Sequence, residues 1–211
     1  MGSQTLPMFV NLFVNADLRR NETEAAASEN LPMLVVGFGG DPETVAWQLT
    51  HCKEIMQQNG AIGVTIVEDE PLQNLQEAIQ EFPADSRDSE RVIAKLNLKR
   101  TDVAEFAAQV VDASWARDVQ MMALLGSGVL YLTVPVASDT DFQLLANALT
   151  QLRESAMARQ GNLIIETAPS ELKRHIDVWG AVGGRLSLMK LVKARFDPDG
   201  LLNPRRFISS I

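Results

Sequence analysis

The apolar positions of this chain change period several times, and each change predicts an element. Met33 to Phe38 is a short apolar run closed by Gly39-Gly40, which predicts a strand and a turn. Asp41 can cap the next helix, with Pro42 at its first position. Val45, Leu49, Cys52 and Met56 then recur at helical spacing until Asn59-Gly60 stops them. Gly63-Val64-Thr65-Ile66-Val67 predicts a following strand and completes a β-α-β unit. Pro71 to Phe82 predicts a helix with Leu72, Leu75 and Ile79 inward, and Pro83 to Arg87 a loop. The polar, alanine-rich stretch from Asn15 to Asn30 reads as a loop, a short surface helix or an arm.

The second half repeats this grammar at irregular spacing. Arg91 to Leu98 alternates, with Val92, Ala94, Leu96 and Leu98 on one face. Asp102 with Glu105 suits a reciprocal helix cap, and Val103, Phe106 and Val110 make that helix's buried stripe. Gly126 and Gly128 bracket a turn before Val129 to Val134, the strongest strand signal in the chain. Ser138 with Asp141 is another cap pair, placed before a long helix from Phe142 to Arg159. Gly161 ends that helix and Asn162 to Thr167 is a strand. Arg185 to Phe196 predicts a helix whose stripe is Leu188, Leu191 and Val192, widened by Leu186 and Met189. Pro198 cannot continue it, so Asp197-Pro198-Asp199-Gly200 is a turn. Short strands linked by helices, with no glycine-rich phosphate loop after any strand, favour an α+β ferredoxin-like sandwich. The sheet would be antiparallel or mixed, with helices on one face. A doubly wound nucleotide fold is the competing architecture.

Charge narrows the partners. The chain carries a net −8, which argues against nucleic acid and anionic membranes. The distribution is uneven: from Glu171 to Ile211 eight Lys/Arg face four Asp/Glu, a net of +4, leaving −12 on the rest. A basic end on an acidic body suits docking on an acidic partner or steering a small anion. Lone Cys52 sits on an apolar helical stripe and reads as a core residue, with no redox or zinc motif. No apolar run reaches the roughly 18 residues that a membrane span needs. The expectation is a cytoplasmic chain, or one peripheral to a membrane through partner subunits.

Local chemical signals are sparse. Gly37-Phe38-Gly39-Gly40 has the wrong order for a dinucleotide fingerprint, and Asp41 would occupy the anion site at the helix start. Gly126-Ser127-Gly128 lacks a nucleophile elbow. His51 and Cys52 are adjacent on a helix and point apart, so no metal site is assigned. His175 follows Lys173-Arg174 and precedes Asp177 and Trp179. Arg174 and His175 are the local candidates for anion contact, and Trp179 for an apolar wall. A joint-loop histidine and a packing tryptophan are the structural alternatives. Glu166 is expected to pair with Arg174 or Lys173. No residue is assigned as catalytic.

A wider resemblance comes from the C-terminal half. Gly161-Asn162-Leu163-Ile164-Ile165-Glu166, Ala168-Pro169, Leu172-Lys173-Arg174 and Asp177-Val178-Trp179-Gly180 resemble the C-terminal domain of the glycolate oxidase FAD-binding subunit. So do Met189-Lys190 and the run Lys193-Ala194-Arg195-Phe196-Asp197-Pro198-Asp199-Gly200-Leu201-Leu202-Asn203-Pro204-Arg205-Arg206-Phe207. The broader similarity is to FAD-linked oxidases related to vanillyl-alcohol oxidase. The clear match runs from Tyr131 onward.

The resemblance implies a ferredoxin-like cap over residues 31–184 that covers a flavin ring and shapes the substrate side. Residues 1–30 would be an N-terminal arm or edge. Residues 185–211 would return to an FAD-binding domain that this sequence lacks. It also implies FAD in the intact assembly and none on this chain alone. Partner subunits and oxidation of a small 2-hydroxy acid to a 2-oxo acid are implied too. Asn203 and Arg205 would lie toward the flavin, although Arg205 stands where the family usually has the glycine of Asn-Pro-Gly. The His-x-Gly-Asp-Gly-Asn-x-His signature of related 2-hydroxyacid dehydrogenases is missing, so no histidine or metal mechanism carries over. The alternative is a non-catalytic assembly module that contacts partner subunits through a bare sheet face.

Overall fold

A computed structural model describes residues 5–16, 32–82, 91–113, 115, 118–180, 182–204, 206 and 208. Among them six strands form one antiparallel sheet. These are β1 (Phe9–Val14), β2 (Met33–Gly37), β3 (Arg91–Asn97), β4 (Gln120–Leu124), β5 (Val129–Pro135) and β6 (Asn162–Thr167). Their order is β2-β1-β4-β5-β3-β6. The helices are α1 (Pro42–Gln58), α2 (Asp69–Glu81), α3 (Val103–Val111), α4 (Phe142–Ala158) and α5 (Leu186–Phe196). From β3 to β6 the chain runs β-α-β-β-α-β with spatial order β4-β5-β3-β6, the ferredoxin-like arrangement. Every pairing is antiparallel, which excludes the doubly wound alternative.

One face of this sheet makes the core. Val92, Ala94 and Leu96 of β3, Leu130 and Leu132 of β5, and Leu163 and Ile165 of β6 meet Val103, Phe106 and Val110 of α3 and Leu145, Leu149 and Leu152 of α4. Strand alternation and helical spacing put these residues on facing surfaces. Each large side chain buried there contributes about 1.5–3 kcal/mol. The stripe read for α3 is therefore the observed one.

The caps follow local chemistry, with two corrections. Asp41 accepts the Thr44 amide and starts α1, as expected. Asp141 alone caps α4, accepting from Gln143 and Leu144, so Ser138 has no part in it. Asp102 precedes α3 in helical conformation, and its side chain makes no cap bond. It accepts from the Thr101 hydroxyl instead, and Glu105 pairs with Arg159 across to α4 at 3.1 Å.

Other expectations are also corrected. Gly63–Val67 is not a strand: it has β-forming residues but no neighbouring strand pairs with it, and Ile66 is exposed. The β-α-β unit assigned there is therefore not formed. Two strands went unread. β4 was missed, and β1 lies inside the segment expected to form an arm; there it pairs with both β2 and β4. Cys52 is only partly covered rather than a core residue, and burial raises its thiol pKa. On α5, Leu186 and Met189 are the half-covered positions, whereas Leu188, Leu191, Val192 and Phe196 are exposed. The loop expected at 83–87 lies outside the described residues.

The tail after α5 is folded back by one carboxylate. Asp197 is buried and accepts the amides of Leu201 and Leu202 at 2.8 and 3.0 Å. Lys193, one turn earlier, donates to the Asp197 carboxylate and to the Leu202 carbonyl. The expected turn is present, closed by the Gly200 amide on the Asp197 carbonyl. The bond from Lys193, then the Leu202 and Leu201 amides, hold the Asp197 carboxyl below its usual range against the opposing effect of burial. The unfolded chain takes up this proton at higher pH than the folded chain. The contribution is thus full above the unfolded value, about pH 3.9, and is lost as pH falls through the lowered folded value. Asp197→Asn should raise hydrogen exchange at Leu201 and Leu202 about ten-fold near neutral pH, a size consistent with losing a charge-assisted bond. Unchanged exchange would show that the clip is idle.

Candidate functional site

Alternation along each strand sends the remaining residues to the second face of the sheet. Register sets Lys95 opposite Tyr131, Tyr131 opposite Met122, and Met122 opposite Phe13. This row crosses β3, β5, β4 and β1. It is closed at one end, where Phe82 meets the Phe13 ring edge-on with centroids 6.0 Å apart. It opens at the other, where the side chains of Lys95 and Glu166 are 29% and 39% exposed.

Glu166 shares the face of Ile164, two residues earlier, which stands opposite Lys95. Ala94 faces Ile165 while Ile93 faces Thr167, so Glu166 is the extra residue of a β-bulge. Its Oε1 lies 3.8 Å from Lys95 Nζ. The pairing expected with Arg174 or Lys173 is thus replaced by one across the strands, because residues of β6 share a face with β3 rather than with the later loop. The Lys95 ammonium also sits 5.3 Å from the centre of the Tyr131 ring. A side-chain hydrogen bond with Tyr131 is the main cause that raises the Lys95 pKa; burial opposes it, and the charge of Glu166 adds. Lys95 is therefore a fixed cation at neutral pH.

Polar groups continue along the same face. Thr133, two residues beyond Tyr131, is buried, and its hydroxyl has no hydrogen-bond partner. Gln120 stands opposite Thr133 in the register. Asn97 and Asn162 join side chains at 2.9 Å at the open end. A partly covered ammonium held beside an aromatic ring can receive a carboxylate or another small anion.

The residues singled out from sequence lie elsewhere. Arg174 ends a 3-10 turn (Leu172–Arg174) and donates to Glu171 at 2.8 Å in an exposed position. His175 Nδ1 lies 3.0 Å from Gln143 Oε1 on α4. Arg174 and His175 are therefore engaged by different neighbours. Trp179 is half-buried, and its amide donates to Asp177 at 3.0 Å. Leu172 and Ile176 are part of the core, and the Val178 carbonyl accepts from Ile165, so this loop passes from the helix side along the edge of β6. Arg153 of α4 fastens it, donating to the carbonyls of Leu163 and Asp177 at 3.2 and 2.7 Å. Asn203 is exposed at a positive φ of 46°, and its carbonyl accepts the Arg206 amide. Arg205 lies outside the described residues.

The loop before α1 does not fit a flavin pyrophosphate. A side-chain carbon added at Gly37 would come within 2.2 Å of the Phe9 ring, and one at Gly39 within 2.4 Å of the Met8 sulfur. These glycines make room for the chain's own side chains. Asp41 supplies the negative charge at the helix start, where a phosphate would have to sit.

A family model described as FAD linked oxidases, C-terminal domain, matches residues 10–207. The chain belongs to this family. No curated protein matches it. The match begins within β1 and runs through the tail, so the FAD-linked oxidase C-terminal domain takes in both the sheet and the Asp197 clip. Family membership places the domain in a flavin-dependent oxidoreductase. No helix among the described residues is long and apolar enough to cross a membrane.

Proposed function

We propose that this chain is the substrate-side cap of a glycolate-oxidase-like FAD enzyme, of the group related to vanillyl-alcohol oxidase. The Lys95 and Glu166 end of its second sheet face borders the reaction space. Residues 185–211 dock on an FAD-binding domain carried outside these residues, and further partner subunits complete the assembly. The substrate is a small 2-hydroxy acid, which leaves as the 2-oxo acid. Bound flavin supplies the redox chemistry in such enzymes, while the protein supplies position and charge. Lys95 holds the substrate carboxylate, with Tyr131 fixing the ammonium from the side. Arg174, His175 and Trp179 form the rim beside β6. Asn203 and Arg205 lie toward the flavin domain.

The observation that carries this reading is α5. A helix of eleven residues with no buried side chain gains little from packing on its own chain. Its apolar positions, next to Lys190, Lys193 and Arg195, fit an acidic surface with an apolar centre. The Lys95 face adds an anion contact where a cap needs one.

The test is Lys95→Gln in the assembled enzyme. Losing one charge-assisted contact should lower kcat/KM for glycolate about ten- to hundred-fold, with the thermal midpoint nearly unchanged. Full turnover in the variant would remove Lys95 from the substrate side. It would favour the second reading, a non-catalytic assembly module. That reading draws on other exposed apolar residues, Leu34, Trp47, Ile62 and Ile66, as further contact points.

A further inference from the structure

We infer that Glu166 makes this site selective for acids with a single carboxylate, an inference that rests on the substrate-side reading of the Lys95 face. Lys95 already has one anionic neighbour, Glu166, at 3.8 Å. At this end of the row the lysine that would meet a substrate carboxylate already has a resident carboxylate beside it. A monocarboxylate can share Lys95 and stay clear of Glu166. A second carboxylate directed toward β6 meets the Glu166 carboxylate, whose like charge repels it. On its two sides Lys95 faces Tyr131 of β5 and Ile164 of β6, neither of them basic.

Strand alternation makes Glu166 available for this role, since it lies two residues beyond Ile164, which faces Lys95. The bulge after Ile165 leaves Glu166 without a directly opposed residue on β3. Surface pairing alone is a weak stabiliser, so an exposed ion pair of this kind contributes little to the fold. Its position beside the one half-covered lysine of the row gives it a role in charge selection. Glu166 is a specificity-determining residue and takes no part in the bond-breaking step.

Glycolate and tartronate provide the comparison, since tartronate is glycolate with a second carboxylate on the same carbon. Binding of each is followed by NMR through the backbone signals of Lys95 and Tyr131 in the 211-residue chain. Steady-state rates are measured in the assembled enzyme. The wild-type protein should prefer glycolate. Glu166→Gln should reduce that preference about five-fold, the size expected for removing one nearby like charge at a partly solvated site, and the change should fall on KM rather than kcat. Glu166→Asp should retain most of the preference. A preference unmoved by Glu166→Gln overturns the inference and leaves the substrate-side reading standing. If neither acid moves the Lys95 and Tyr131 signals of the wild-type chain, the substrate-side reading fails and this inference fails with it.

Discussion

Exchanging Leu188 and Leu191 together for glutamate should detach the chain from its flavin-bearing partner. Both side chains are largely exposed, at 64% and 68%, so the exchange leaves the described fold intact. In the proposed arrangement they are the central positions of the α5 stripe that meets the FAD-binding domain. Burying a leucine contributes about 1.5–3 kcal/mol, so losing two should weaken association at least about a hundred-fold. The introduced charges add a desolvation cost on top. Co-purification of the flavin-binding partner with the variant, read by flavin absorbance, measures this directly. Calorimetric unfolding of the variant chain alone provides the control for folding. Retention of flavin at the wild-type ratio would mean that α5 does not face the partner, and the domain arrangement proposed above would be wrong.

Arg153→Leu is the second large effect expected, and it acts on stability. Arg153 is 9% exposed, and burial lowers its pKa while the charge of Asp177 opposes that shift. It is tolerated inside because its donors are spent on two carbonyls, Leu163 in β6 and Asp177 in the loop. Gly180 turns at a φ of 71° directly against it; a side-chain carbon there would lie 2.9 Å from Arg153 Nε. Leucine would fill much of the volume and leave both carbonyls without their donor. The cost should be about 2–4 kcal/mol, or a fall of roughly 5–15 °C in Tm. Lysine at this position would recover only part of it, since one ammonium cannot reproduce the planar fork of a guanidinium. A loss below about 1 kcal/mol in urea unfolding would show that water replaces Arg153 at both carbonyls.

Much of this fold was legible because its strongest elements are locally consistent. Val129 to Val134 is β-rich, and Phe142 to Arg159 has an aspartate cap and a continuous stripe, so pattern and tertiary context agree. The misreadings have a common cause. β4, Gln-Met-Met-Ala-Leu, has no β-branched residue and is a strand because β1 and β5 flank it. Gly63–Val67 has the opposite problem: suitable residues with no strand beside them. Strand propensity reports fit to neighbours, and neighbours are not visible in a local window.

The candidate site was hidden for a related reason. Lys95, Tyr131 and Glu166 come from three strands, and only the order β5-β3-β6 brings them together. Alternation alone does assign Lys95 to the face opposite Val92, Ala94 and Leu96, which was the available clue. Alternation from Leu163 and Ile165 assigns Glu166 to the opposite face in the same way, but the pairing of β6 with β3 is not visible locally. The tail motif was easier to read, because Lys193, Asp197 and Leu201 are each four residues apart, and such spacing keeps their contacts local.

The two faces of the sheet divide the work of each strand. On β3, β5 and β6, residues of one parity fill the helix-covered core, and those of the other line the open row. On the substrate-side reading proposed above, substitutions at Lys95, Tyr131, Gln120 and Glu166 should change substrate preference while the core on the other face stays as it is. A mutant library confined to those four positions should consist mostly of folded proteins, so new specificities could evolve here without the loss of stability that usually accompanies changes at a catalytic centre.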